Sequence, residues 1–155
     1  MREVRELVHG TCVALGERAA LLRGKPGSGK SDLALRFMAL PAEATLRPSL
    51  VADDQVVIEV AGNGALRASP PESIAGKIEV RGLGILAVPH LPQAELVLVC
   101  DLVEAEDVPR MPPALPEQAV IAGVAVPILK LAPFEASAPL KLKMALFIAM
   151  SGNPL

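Results

Sequence analysis

Eight consecutive residues, Gly24-Lys25-Pro26-Gly27-Ser28-Gly29-Lys30-Ser31, fit the pattern Gly-x-x-x-x-Gly-Lys-Ser. A run of this kind cradles phosphate. Its small residues let successive backbone N–H groups curl round an anion, and the N-terminus of the following helix adds partial positive charge. In such a loop the lysine, here Lys30, reaches the β- and γ-phosphates, and the hydroxyl, here Ser31, ligates Mg²⁺. The apolar stretch 19–22 before the loop and a helix-compatible run after it supply the strand-loop-helix setting that the chemistry needs. The chain therefore reads as binding a nucleoside triphosphate together with Mg²⁺.

A second chemical feature follows about twenty residues later. Leu50-Val51-Ala52-Asp53-Asp54 is an apolar run that ends in two acids, the form in which a carboxylate at a strand end meets the metal of a phosphate site. Neighbouring residues of an extended chain point to opposite sides, so the two acids divide the work: Asp53 toward the metal, Asp54 as the base that receives a hydroxyl proton. The reverse assignment stays open, as does a plain turn between strands. A guanine-specific reader would show Asn-Lys-x-Asp, and the two asparagines, Asn63 and Asn153, have no such setting.

These groups need elements to hold them. Residues 4–23 read as a hairpin of two strand-like runs parted at Gly16-Glu17-Arg18, and 32–40 as the helix after the loop, ended by Pro41. Residues 49–60 give strand, acidic break, strand; Gly62-Asn63-Gly64 turns into a return strand carrying Leu66, which Pro70-Pro71 stops. A helical turn is expected at 72–75 and a strand at 78–88, where Gly82 and Gly84 suggest a bulge or a close backbone approach. Residues 94–103 form the clearest buried strand, 109–116 a proline-rich surface connection, and 120–131 one or two strands. Ser137 and Pro139 suit the start of a last helix over 140–150, with Leu140, Met144, Phe147 and Ile148 as its core face. Strand and helix do not alternate along the chain, so the expectation is an α/β fold with a mixed, largely β sheet, on which the P-loop helix and the C-terminal helix pack.

Composition narrows the partners. The chain has 155 residues, 52% hydrophobic and 21% charged, which suits one catalytic domain over 1–155 and argues against disorder. Lys and Arg number 15 against 17 Asp and Glu, and only 2% of residues are aromatic, so neither a phosphate-neutralising groove nor a base-stacking platform for nucleic acid is expected. The longest stretch free of charged or strongly polar residues, 119–129, reaches about half of the roughly twenty residues of a membrane span. Residues 1–6 show no signal-peptide core, which points to the cytoplasm, and Cys12 and Cys100 read as buried free thiols.

Four segments together carry a family resemblance: His9-Gly10, the loop 24–31, Leu50-Val51-Ala52-Asp53-Asp54, and above all Ile78-Glu79-Val80-Arg81-Gly82-Leu83-Gly84-Ile85. They resemble the kinase domain of the HPr kinase/phosphorylase family, strongly over 7–90 and weakly beyond. The resemblance implies an ATP- and Mg²⁺-dependent protein serine kinase acting on HPr, the phosphocarrier of the phosphotransferase system. It also implies a P-loop kinase core like that of PEP carboxykinases. Carried onto matching positions, it makes His9 the histidine near the catalytic aspartate, Lys30 the phosphate-binding lysine and Asp54 the acceptor of the serine proton. Glu79 joins Ser31 and Asp53 around Mg²⁺, and Arg81 lies in the segment important to catalysis.

The family often assembles as a hexamer, so a homo-oligomer is compatible with the resemblance. The chain looks like a short form that holds the kinase domain without the further N-terminal domain of full-length members. Family members that also remove phosphate carry Arg-Pro-Gly-Arg-Asn after the last core strand; residues 128–135 have no match to it, which argues against phosphorolysis. Two other readings compete: a nucleotide-sensing module that transfers nothing, and a plain NTP hydrolase with Gln55 orienting water. With few aromatics to clamp a base, loose base selectivity is expected.

Overall fold

The computed structural model describes residues 4–151; residues 1–3, part of the stretch read for a signal peptide, and 152–155, which include Asn153, lie outside them. Eleven strands and two helices follow one another as β1 (Arg5–His9), β2 (Thr11–Leu15), β3 (Arg18–Arg23), α1 (Lys30–Met38), β4 (Pro48–Ala52), β5 (Gln55–Val60), β6 (Leu66–Ser69), β7 (Lys77–Val80), β8 (Gly84–Ala87), β9 (Ala94–Leu102), β10 (Gln118–Ile121), β11 (Val124–Leu131) and α2 (Ala138–Met150). Nine strands make one sheet in the order β1-β5-β6-β9-β3-β2-β4, and β7-β8 form a separate ribbon. Along one edge β9 is shared: β6 pairs its first residues, and β11, itself paired with β10, runs beside residues 99–102.

Strand direction matters for the site. β3 runs parallel to β9 and β9 to β11, while β2 is antiparallel to both β3 and β4. The C-terminal ends of β11, β9, β3 and β4 therefore share one rim of the sheet. Ligands of open α/β sheets bind outside such carboxyl ends.

Alternation along the central strands feeds two cores. From β2 and β3, Cys12, Ala14, Ala19 and Leu21 face one side with Val56, Ile58 and Leu66; Val13, Leu15, Ala20 and Leu22 face the other, against Leu33 and Phe37 of α1 and Leu142 and Leu146 of α2. A strand buried on both faces has no polar alternation, hence the near-continuous apolar runs. Both cysteines are free and buried, as read, and burial pushes the Cys12 thiol up to about 12.

Several expectations need correction. Residues 4–23 hold three strands, because Gly10 breaks the first run: β2 and β3 form the hairpin, whereas β1 pairs with β5. The P-loop helix begins at Lys30, two residues ahead of the expected start. The stretch 78–88 is no bulged strand; the chain reverses at 80–84, with the Leu83 N–H donating to the Val80 carbonyl at 2.9 Å, and nothing lies within 4 Å of a Cβ placed on Gly82 or Gly84.

Ser137 precedes α2, but its side chain makes no capping hydrogen bond. The proposed core face of α2 is also wrong: Leu140, Met144, Phe147 and Ile148 are exposed, and Leu142, Ala145 and Leu146 are buried instead. Alanine, leucine and isoleucine surround this helix on nearly every side, so spacing alone could not choose the inward face.

Candidate active site

The P-loop grows from the end of β3, the strand between β2 and β9. Its last residue, Arg23, forms a two-point ion pair with Asp101 of β9, Nε to Oδ1 at 2.7 Å and Nη2 to Oδ2 at 3.0 Å, which fixes the strand ends beneath the loop and raises the Arg23 pKa. The loop then turns tightly, the Ser28 N–H donating to the Lys25 carbonyl at 3.0 Å. A Cβ on Gly24 would stand 2.3 Å from Ser28 Oγ, a buried hydroxyl with no partner among the described residues, so any larger residue there would have to displace that side chain. Gly29 adopts a left-handed φ of 97° at the N-cap of α1. The Lys30 ammonium folds over the loop, donating to the carbonyls of Gly24 at 2.7 Å and Lys25 at 3.0 Å.

Asp53 ties three elements to the loop. It follows β4 on the shared rim and is only 7% exposed. Its Oδ1 accepts from Ser31 Oγ at 2.8 Å and from Thr11 Oγ1 at 2.9 Å, and its Oδ2 accepts the Glu79 backbone N–H at 3.2 Å. A buried carboxylate needs such partners, and here they come from α1, β2 and β7. Asp54 is exposed and takes a left-handed φ of 69°, its carbonyl accepting the Gly10 N–H at 3.0 Å. The premise of an extended acid pair therefore fails at this turn, and both residues line one cavity.

That cavity, of about 710 Å³, gathers Pro26, Gly27, Gly29, Lys30, Ser31, Asp53, Asp54, Glu79 and Arg81 from the expected set. Gly24, Lys25 and Ser28 of the loop are outside the lining. His9 does not line the cavity; it ends β1 opposite Gln55, next to the Gly10 that holds the Asp54 carbonyl, and Gln55 is likewise outside the lining. Thr11, Phe134 and Arg36 are among the residues that escaped the sequence reading. Thr11 is buried and belongs to no motif, and Phe134 lines the cavity. Arg36 pins the segment after β11 by donating to the carbonyls of Pro133 and Glu135 while pairing with Asp32 at 2.9 Å. The i,i+4 spacing of Asp32 and Arg36 was visible in the sequence; their reach to residues 133–135 was not.

The donor set suits Mg²⁺. Ser31 Oγ and Asp53 Oδ1 are hard oxygens 2.8 Å apart, and among the described residues no three His, Cys, Asp or Glu side chains gather around one point. Mg²⁺ in phosphate sites uses one or two carboxylates and completes its shell from phosphate and water.

Comparison with known proteins identifies the fold and the family. The structure of the Hpr(Ser) kinase/phosphatase from Coxiella burnetii superposes with a TM-score of 0.76 over 95% of this chain and 93% of that one, at 25% identity, which fixes the fold as a mixed α/β P-loop kinase core. The HPr kinase/phosphorylase of Neisseria meningitidis strain MC58 is 35% identical over 64% of this chain, and that of Azoarcus sp. BH72 is 33% identical over 77%. The chain spans 31% and 40% of the length of these two relatives. A family model described as the HPr serine kinase C-terminal domain matches residues 3–131, every cavity residue except Phe134, and the chain accordingly belongs to that family.

Proposed function

We propose that this chain transfers the γ-phosphoryl group of ATP to a seryl hydroxyl of an HPr-type phosphocarrier. The observation that carries the reading is the hydrogen bond from Ser31 of the P-loop to the buried Asp53, with the exposed Asp54 next in the chain and in the same cavity lining. Ser31 and Asp53 would hold Mg²⁺, with Glu79 nearby in the lining, and the ion when bound offsets charge on the β- and γ-phosphates. Lys30 exchanges its loop carbonyls for phosphate oxygens, and the loop N–H groups hold the same anion.

The serine oxygen bonds to the γ-phosphorus as the bond to the bridging oxygen breaks. ADP leaves with that electron pair, and the hydroxyl proton passes to the Asp54 carboxylate. Arg81, on the β7–β8 turn, offers a cation at the cavity wall, and His9 flanks Asp54 through the backbone at Gly10. The relatives' names and the family match support HPr as substrate, and such a substrate would place the enzyme in the cytoplasm.

Incubation with HPr, γ-labelled ATP and Mg²⁺ tests the reading. The expected result is phosphoserine on HPr and a loss of about a hundredfold or more for Asp54→Asn. If ATP binds and no phosphoserine appears, the chain is a nucleotide sensor and not a kinase; phosphate release without HPr that collapses in Gln55→Ala marks a hydrolase.

A further inference from the structure

The segment after β11 reaches the P-loop. Phe134 is 71% exposed, yet its ring lies against Gly29, where a Cβ would meet the ring carbons Cε1 and Cζ at 3.0 Å. The ring does not hang free. Arg36 donates to the carbonyls on both sides of it, those of Pro133 and Glu135, and Pro133 is buried. An exposed aromatic ring on a backbone pinned at both neighbours is a preorganised contact surface, because little ordering remains to be done when something lies on it.

The direction in which a nucleotide must lie follows from the rim. The Ser31–Asp53 hydrogen bond marks the metal and γ-phosphate end, on the β4 side of β3. Phe134 follows β11, on the β9 side of β3. A triphosphate wrapped by the loop with its terminal phosphate at Asp53 sends its ribose and base the other way, toward β9 and β11. Phe134 is the aromatic side chain met there, and among the described residues no other aromatic lines the cavity.

We propose that Phe134 is the platform on which the nucleobase stacks, with Arg36 as the positioning residue that holds it; this rests on the P-loop reading above. A phenyl ring has no polar handle with which to tell one base from another. The platform thus adds affinity to any nucleoside triphosphate without reading base edges, as aromatic stacking does elsewhere.

Calorimetric titration of the whole chain with Mg²⁺–ATP and with Mg²⁺–tripolyphosphate, which has phosphates and no base, separates the two claims. Phe134→Ala is expected to weaken ATP by about tenfold and to leave tripolyphosphate unchanged. Phe134→Trp, which introduces the only indole in a chain without Trp, is expected to keep ATP affinity and to change its emission with ATP but not with tripolyphosphate. Equal ATP affinity in wild type and Phe134→Ala overturns the platform, as does an equal loss for both ligands or a silent indole. Wild type that binds neither ligand overturns the nucleotide reading itself, and the platform with it.

Discussion

Asp53 shows how much one residue organises. Its carboxylate accepts three hydrogen bonds from three elements, so this end of the cavity is set by the chain's own contacts. The Walker-type run 50–54 made this acid legible in the sequence, and the lysine and serine of the loop likewise. Thr11 was not legible, because a threonine in an apolar strand has many roles and only the pairing of β2 with β4 brings it to Asp53. The two cysteines make a separate prediction. Burial raises both thiol pKa values, Cys12 from 9.0 to about 12. Above pH 9 the unfolded chain releases protons that the folded chain keeps, so this stabilisation is full below pH 9 and is lost as pH rises toward 12. Denaturant unfolding at pH 8 and pH 10 is expected to show a loss of about 1 kcal/mol per thiol that disappears in the Cys12→Ala/Cys100→Ala variant.

At the level of elements, the strands were easier to place than their partners. Turn residues at 16–18 and 62–64 located the hairpins, and the apolar run 94–103 located β9, because both signals are local. Pairing is not local: nothing near Gly10 says that β1 leaves the hairpin for β5, or that β9 divides one edge between β6 and β11. α2 is the clearest failure, since periodicity chooses a face only when the other face is polar. The structure inverts the expected roles of neighbouring residues there. Leu146→Ala is expected to cost about 2–5 kcal/mol in unfolding free energy, as removal of a buried leucine does, whereas Phe147→Ala is expected to stay within about 0.5 kcal/mol. Matching losses for the two variants would contradict the described orientation of α2.

For the molecule as a whole, composition said more about exclusions than about architecture. A 2% aromatic content argued against nucleic acid and for loose base selectivity, and it could not say that one of the three phenylalanines would line the cavity. Phosphoryl transfer from ATP and from GTP to the same phosphocarrier is expected to differ by no more than a few fold, since a phenyl ring reads no base edge; a hundredfold preference would point to a polar group of the lining, such as Asp32, on the base. The contacts that shape the cavity also span long stretches of chain: Thr11 to Asp53 is 42 residues, Arg23 to Asp101 is 78, and Arg36 to Pro133 is 97. Each closes a large loop, whose entropy must be lost before the contact repays it, so such a topology folds slowly. Binding competence should then be among the last properties recovered during renaturation. Far-UV ellipticity, which follows β2–β3 and the helices, is expected to return before the ability to take up nucleotide. A newly made chain would look folded for a time while still being unable to hold its ligand.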